Sequence, residues 1–275
     1  VADEFQVWFG QHIPAMERNN TNGPFYNNGW NLPIVVQTLP FDIAGRDRGV
    51  TAWGLVAGGL LKYHLSVVDL AAPVATAATQ GAGIGNARYA ARVTVNLLDP
   101  ENYYYTSGTY YGEQDTLAIG AVIHGQKGVD GPGGADLDND LLAFTADVLF
   151  EKNLGGGGTI TFEGGYWNFE ATGAAYVPNQ GTADLGVGAV GPLGATSYLA
   201  SVSWLTPNKI GYGKLQPLAK LQVGDYASTA VALDLGLGYI IDGFNHRWFL
   251  NFRHQDNGGG ASPIDMLQIG AQLQL

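Results

Sequence analysis

The chain has 275 residues, of which 46% are apolar and only 13% are charged. Soluble domains carry about 25% charged residues, so something other than a charged surface must face the surroundings of this protein. The net charge of −11 argues against nucleic acid as a partner, and the absence of cysteine excludes disulfides, thiol catalysis and cysteine-ligated metals. The chain contains no run of about 18 apolar residues that would predict a transmembrane helix.

A period of two residues runs through the chain. In the segment RYAARVTVNLL, Tyr89, Val93 and Val95 share one face, while Arg88 and Arg92 share the other. This alternation is typical of strands with one apolar face and one polar face. It predicts twelve strands, at 3–12, 48–57, 60–70, 87–98, 116–126, 139–152, 158–169, 196–206, 213–226, 230–242, 246–256 and 264–275.

The lengths of these strands and of their connections are typical of an outer-membrane protein. Most of the strands have at least 10 residues, and a tilted strand needs about 9–11 to cross a bilayer. The connections are mostly long at one end of the sheet and mostly short at the other, as in bacterial outer-membrane barrels. The exception is 99–115, a long aromatic segment at the short-turn end, which we expect to lie near the lipid headgroups. The sequence therefore predicts an all-β fold, in which residues 1–275 form a single transmembrane antiparallel β-barrel in a bacterial-type outer membrane.

A soluble β-sandwich or a lipocalin-like barrel, with the apolar face inside, is the alternative. Alternation alone does not say which face is inside, but strand length, the charge deficit and the aromatic residues near the strand ends favour a membrane. The aromatic residues are Trp53, Tyr63, Tyr89, Trp204, Tyr239 and Trp248. We also expect the last strand, 264–275, to close the barrel by pairing with the first, because closure leaves no free edge.

Several segments in the first half of the chain resemble a known family. They are FQVWFGQHIPAMERNN at 5–20, AGRDRGVTAWGLVAGGLLKYHLSVVDL at 44–70, ARVTVNLLDPENYYY at 91–105 and DTLAIGAVIHGQK at 115–127. Together they resemble the phosphate-selective porin O and P family and its porin-like relatives. The resemblance covers roughly residues 5–126, and it extends to the rest of the chain only through the architecture.

The resemblance implies an outer-membrane porin that assembles as a homotrimer. Members of the family usually have sixteen strands, whereas twelve are visible here. Either strands before Val1 are absent from this sequence, or the barrel is a smaller member of the family. Phosphate selection needs a ladder of basic residues, and this chain has only 13 Lys and Arg in all, so the resemblance does not fix the solute.

The polar faces of the strands are expected to line a pore with charges of both signs. The predicted lining residues are Lys62, Arg88, Arg92, Asp147, Glu163, Lys220, Asp234, Arg247 and Arg253. Two interpretations remain open. The charges solvate a wet lumen or pair across strands, or the arginines form one wall of a constriction that faces a carboxylate cluster.

Two connections carry further predictions. The long loop 13–47 is the best candidate for narrowing the pore, with latching over a neighbouring subunit or a plain surface loop as alternatives. Arg46 and Arg48 lie where this loop returns to the sheet and are predicted at the pore mouth. The acidic stretch with Asp130, Asp136, Asp138 and Asp140 is interpreted as a solvated loop rather than a calcium site, because the closing glutamate of an EF-hand is missing.

The predicted function is passive diffusion of small hydrophilic solutes or ions across the outer membrane, with an anion preference as one possibility. Membrane lipid is the expected surrounding, and no cofactor or metal is expected. An enzyme is not expected, because the five histidines lack ligand spacing and Ser66, Ser201 and Ser203 lie within strands. The alternatives are a structural barrel plugged by the loop 13–47 or by a partner protein, and an outer-membrane hydrolase.

Overall fold

The computed structural model describes residues 3–29, 33, 46–69, 87–127, 140–172, 195–225, 229–260 and 262–274. These residues form twelve strands, one short α-helix and a 3-10 turn at Gly155–Gly157, which confirms the all-β prediction. The elements are β1 (Gln6–His12), α1 (Arg18–Asn22), β2 (Asp47–Val56), β3 (Leu61–Asp69), β4 (Arg88–Asn96), β5 (Thr116–Gln126), β6 (Asp140–Asn153), β7 (Thr159–Thr172), β8 (Ala195–Leu205), β9 (Lys214–Asp225), β10 (Thr229–Asp242), β11 (His246–Asp256) and β12 (Ile264–Leu273). Within the described part of the chain, no helix has the length and apolar character needed to cross a membrane.

The strands form one antiparallel sheet in which each strand pairs with its neighbours in the sequence. Such an up-and-down order needs only short connections at each end and follows directly from the sequence of turns. The ladders of the described residues begin at β1 and end at β12, and a ladder between these two strands is not among them. The predicted closure of the last strand on the first therefore stays a prediction.

The two faces of the sheet have the opposite polarity to that of a water-soluble protein, with polar side chains buried and apolar side chains exposed. In β11, Arg247, Asn251 and Arg253 are buried, whereas Trp248 and Leu250 are 46% and 44% exposed. In β12 the same rule holds, because Gln272 is buried while Leu267, Ile269 and Leu273 are at least 66% exposed. Burying charged groups and exposing apolar ones is unfavourable in water, so this arrangement contradicts the lipocalin-like alternative, in which the apolar face is inside.

The sheet curves around the inner segment, which we define as residues 13–29. Most of this segment is buried, and hydrogen bonds join it to eight of the twelve strands. Its partners on the strands are Ser66 on β3, Arg92 on β4, Asp147 on β6, Glu163 on β7, Ser203 on β8, Lys220 on β9, Arg247 on β11 and Gln272 on β12.

These bonds exclude a flat sheet. In a flat sheet, the nine intervals from β3 to β12 would separate those strands by about 43 Å, at about 4.8 Å per interval. Ala15 bonds to β3 and Phe25 to β12, yet the chain between them spans at most about 35 Å when fully extended. The helix α1 shortens that reach further. The sheet must therefore bend round so that β3 and β12 approach the same short segment.

Candidate functional site

All nine predicted lining residues have buried side chains on the inner, polar face of the sheet. They lie on seven strands, with Lys62 on β3, Arg88 and Arg92 on β4, Asp147 on β6, Glu163 on β7, Lys220 on β9, Asp234 on β10, and Arg247 and Arg253 on β11. This common placement follows from the strict period of two. That they line a conducting pore stays a prediction.

A buried ion pair between Arg92 and Asp147 lies on the inner face of the sheet. Arg92 Nη1 and Nη2 donate to the two carboxylate oxygens of Asp147 at 2.5 and 2.8 Å. The two residues belong to β4 and β6, so the pair spans the intervening strand β5. Gly120 on β5 makes this possible, because a Cβ at that position would collide with Arg92 Nη2. The glycine therefore leaves the room that the ion pair occupies.

The inner segment is attached to this pair. The Arg18 N–H donates to Asp147 Oδ2 at 3.1 Å, and the Met16 carbonyl accepts from Arg92 Nη1 at 3.1 Å. The backbone at Met16 and Arg18 is thereby fixed against the wall made by β4, β5 and β6. Between these contacts lies Glu17, whose side chain is fully buried and whose carboxylate oxygens have no hydrogen-bond partner. Burial raises the pKa of Glu17 to about 7.

A second connection enters the interior from the opposite end of the sheet. We call residues 99–115 the opposing segment. Glu101, Tyr104, Thr106 and Thr109 of this segment are buried, although Tyr103 is 80% exposed. The expectation that the whole segment lies near the headgroups is therefore wrong.

The two segments meet in the interior through a bidentate ion pair. Arg18 Nη1 and Nη2 donate to the carboxylate of Glu101 at 2.7 and 2.5 Å. Burial raises the pKa of Glu101, but the contact with Arg18 outweighs burial and holds this pKa at about 2. Further bonds join the segments, among them those from Arg18 Nη1 to the Ser107 carbonyl, from Tyr104 Oη to the Ile13 carbonyl, between the Thr21 and Thr106 hydroxyls, and from the Gly108 N–H to the Tyr26 carbonyl. Together these bonds join the two segments across the interior.

The remaining charges also have partners close by. On the far wall, Arg253 donates to Asp234 at 2.7 and 3.1 Å, and the Asn19 amide donates to Glu163 at 2.7 Å. Lys220 donates to the Asn28 carbonyl at 3.4 Å. This arrangement favours the interpretation in which charges pair locally. An arginine wall facing a separate carboxylate cluster is not how the described residues are arranged.

Arg247 and Lys62 bind backbone carbonyls instead of carboxylates. Arg247 donates to the carbonyls of Phe25 and Asn27 and to Gln272, at 2.7 to 2.9 Å. Lys62 donates to the carbonyls of Glu101 and Tyr103 in the opposing segment at 3.3 and 2.5 Å. These cations fasten the inward segments to the sheet, a role that strand alternation does not reveal.

The interior is close to electrical balance even though the chain as a whole is acidic. In the described part of the chain, seven of the 13 basic residues and six of the 24 acidic residues have buried side chains. The acidic ones are Glu17, Glu101, Asp147, Glu151, Glu163 and Asp234. Among the described residues, ten further acidic side chains are not buried, so their negative charge lies outside this buried region.

The predictions for Arg46 and Arg48, for the loop 13–47 and for the acidic stretch have different outcomes. Arg46 and Arg48 are exposed at the start of β2, at the edge of the sheet where the loop 13–47 returns. The first part of that loop, the inner segment, lies inside the sheet, which favours the prediction that it narrows the interior. Apart from Pro33, its residues 30–45 lie outside the described residues, as do Asp130, Asp136 and Asp138.

Trp53 does not belong to the interfacial aromatic residues with which it was grouped. Its side chain is buried on the inner face, where its ring stacks on His64 with a centroid separation of 5.9 Å. Trp8 stacks on Tyr104 of the opposing segment at 4.0 Å, and these rings form one aromatic cluster. In contrast, Tyr89, Trp204 and Trp248 are more than 40% exposed on the outer face.

Ser66 and Ser203, on the inner face of the sheet, form hydrogen bonds with the inner segment. In the ranges that the structure describes, no three His, Asp or Glu side chains are arranged to hold a metal ion. Ser66 Oγ accepts from the Ala15 N–H and contacts the Thr51 hydroxyl at 2.7 Å, and Ser203 bonds to Asn28. Neither a protein-family model nor a curated protein matches the sequence of this chain.

Proposed function

We propose that the chain is a porin of a bacterial-type outer membrane, a β-barrel through which small hydrophilic solutes diffuse passively. The observation that carries the proposal is the inverted polarity of the sheet. Charged side chains are buried on its inner face, and an apolar surface covers its outer face. A lipid bilayer is the medium in which that outer face is stable, and a polar interior is what a water-filled channel requires.

In the proposed channel, the inner and opposing segments form a constriction, and this constriction sets the mechanism. The inner and opposing segments enter from opposite ends and meet at Arg18 and Glu101, so a solute must pass between them and the walls of the barrel. Passage is limited by size and by contact with paired charges. Because seven buried cations face six buried acids, of which Glu17 has a raised pKa, we propose a weak preference for anions.

A plugged structural barrel is the second candidate. The observation in its favour is the number of strands to which the inner segment is bonded, since a segment held by eight strands is a stable obstruction. The plugged barrel and the constricted porin are distinguished by their conductance. A plugged barrel passes no current, whereas a constricted porin gives small, stable steps.

We expect the purified protein to produce discrete open-channel steps in planar lipid bilayers. Under a gradient of potassium chloride, the reversal potential should indicate a weak anion preference, because the interior holds about one excess cation. The complete absence of steps would favour the plugged barrel. A strong cation preference would contradict the role given to the buried basic residues. It would mean that acidic residues outside the buried region control the ion selectivity.

A charge on the outer face should destabilise the protein. Leu235, at the middle of β10, is 51% exposed, and Leu235→Arg is expected to cost about 2–4 kcal/mol of unfolding free energy in a bilayer. The control is Tyr212→Arg, which places the same charge in an exposed turn between β8 and β9 and should cost little. Urea unfolding from lipid vesicles measures both. Equal effects of the two variants would mean that Leu235 does not contact lipid.

The homotrimer remains a proposal that rests on the family resemblance. Light scattering of the protein in detergent, corrected for the bound detergent, distinguishes a trimer of 29.0 kDa chains from a monomer. A monomer that conducts would support the proposed channel and would contradict the homotrimer.

A further inference from the structure

The inner segment crosses the interior from one end of the sheet to the other. It starts after His12, the last residue of β1, at the end of the sheet with the long loops. Its Phe25 carbonyl accepts from Arg247 Nη2 at 2.9 Å, and Arg247 is the second residue of β11, at the short-turn end. The Tyr26 ring contacts Phe244, in the turn between β10 and β11, with a centroid distance of 5.1 Å. The segment therefore reaches the surface at the end opposite to its start.

The tip of this segment, residues 24–26, is its exposed part. Every other residue of the inner segment is buried or partly buried, whereas Phe25 is 59% and Tyr26 43% exposed. The backbone of the tip is fixed, because the Phe25 carbonyl also accepts from Gln272 Nε2 at 3.0 Å and the Tyr26 carbonyl accepts from the Gly108 N–H at 2.8 Å. The carbonyls of the tip are thus bonded to the protein, while its two rings remain exposed.

Aromatic and acidic side chains surround the tip. Tyr111 of the opposing segment packs on Phe244 with a centroid distance of 5.0 Å. The guanidinium carbon of Arg247 lies 4.7 Å from the centroid of the same Phe244 ring, so this aromatic group already accommodates one guanidinium. Glu113 and Asp242 are exposed, and each lies two residues along the chain from one of these rings. A second cation would therefore find both ring faces and carboxylates here.

The short-turn end as a whole is acidic. Among the described residues at this end, six acidic and three basic side chains are exposed or partly exposed, which leaves an excess of three negative charges. The acidic ones are Asp3, Glu4, Asp99, Glu113, Asp115 and Asp242. The basic ones are Lys152, Lys209 and Lys214. Such an excess attracts cationic partners, and a guanidinium group both stacks on aromatic rings and pairs with carboxylates.

We propose that the exposed tip, together with Glu113 and Asp242, is the docking surface for a polypeptide segment of a partner protein that presents arginine side chains. We call it the tip surface. The guanidinium groups stack on Phe25 and Tyr26 and donate to the two carboxylates. Because the tip is already fixed by its carbonyl bonds, docking orders little of this chain, which favours affinity. That the tip surface faces the periplasm rests on the proposed function.

Titration calorimetry of the wild-type protein in a non-ionic detergent tests the tip surface. The probes are the N-acetylated amides of tetraarginine, tetralysine and tetraglutamate, which separate stacking from charge. We expect tetraarginine to bind about fivefold more tightly than tetralysine, because a guanidinium stacks on an aromatic ring better than an ammonium group does. Tetraglutamate should not bind. Equal binding of tetraarginine and tetralysine would overturn the proposal, because charge alone would then explain it.

Two double variants separate the contribution of the rings from that of the carboxylates. Phe25→Ala with Tyr26→Ala should lower the affinity for tetraarginine to that for tetralysine. Glu113→Gln with Asp242→Asn should weaken the binding of both cationic peptides at least about threefold. The controls Tyr103→Ala and Glu4→Gln remove an exposed ring and an exposed carboxylate from the same end of the sheet and should bind as the wild type does. Should a variant fail to fold, the comparison of the peptides on the wild-type protein still decides.

A fluorophore at the tip distinguishes a polypeptide partner from lipid. The chain has no cysteine, so Phe25→Cys introduces a single thiol that can be labelled. In lipid vesicles, the label should respond to tetraarginine and should not be quenched by lipids with brominated acyl chains. Quenching by these lipids would overturn the tip surface and would show that the tip contacts the membrane.

The outcomes also separate the tip surface from the proposed channel. Preferential binding of tetraarginine to a protein that gives no bilayer conductance would support the tip surface and overturn the channel. Conductance without binding of tetraarginine would overturn the tip surface and leave the channel in place.

Discussion

Replacing Asp147 with asparagine is expected to lower the free energy of unfolding by about 3–5 kcal/mol, the usual cost of removing one partner from a buried ion pair. Asp147 is 4% exposed and accepts from both Nη atoms of Arg92 and from the Arg18 N–H. The asparagine would remove the carboxylate that Arg92 binds. It would also loosen the inner segment, since Arg18 and Met16 both depend on this pair for their position.

Urea unfolding in lipid vesicles, followed by tryptophan fluorescence, measures the effect. Asp256→Asn is the matched control, because Asp256 lies at an exposed end of β11 and bonds only to a nearby turn. A destabilisation no larger than that of the control would mean that water reaches Arg92 and replaces the lost carboxylate. The interior around the pair would then be wet, not packed.

Removing the ion pair that joins the two inward segments is expected to widen the proposed channel. In the double variant Arg18→Gln with Glu101→Gln, both charges of the ion pair disappear together, so neither partner is left behind as an unpaired buried charge. The inner segment loses its bidentate contact with the opposing segment and keeps weaker bonds, such as that between Thr21 and Thr106. We expect the single-channel conductance to rise by at least about twofold, because a constriction limits the current.

The control for this variant is the double replacement Lys152→Gln with Asp115→Asn. That ion pair lies at the end of the sheet from which the opposing segment enters, and it is partly exposed. Exposed ion pairs contribute little to stability. It should leave the conductance unchanged. An unchanged conductance in the Arg18 and Glu101 variant as well would show that the constriction lies elsewhere, for example at Arg247, which binds the end of the inner segment.

The strands and the composition of their two faces could be predicted from the sequence. All twelve elements occur close to their predicted positions, and Arg88, Arg92, Arg247 and Arg253 share the polar face, as their spacing indicates. This success has a simple reason. In a strand, side chains alternate whatever the tertiary structure is, so a local pattern decides which residues share a face.

The inward segments were only partly predictable. The loop 13–47 was a candidate for narrowing the pore because of its length, but Arg18 and Glu101 had no signal of their own. They lie in irregular connections without a period, and 83 positions separate them. The position of Trp53 was misjudged for a related reason, because an aromatic residue near a strand end can stack inside as well as anchor outside.

The sequence by itself determined that this chain forms twelve long antiparallel strands with one polar and one apolar face. Only the tertiary structure decided that the polar face is the inner one, and that Arg92 finds Asp147 across β5 while Arg18 finds Glu101. The physical reason is the range of the interactions. Alternation is a property of neighbouring residues, whereas burial and ion pairing depend on how the whole sheet curves around the inner segment.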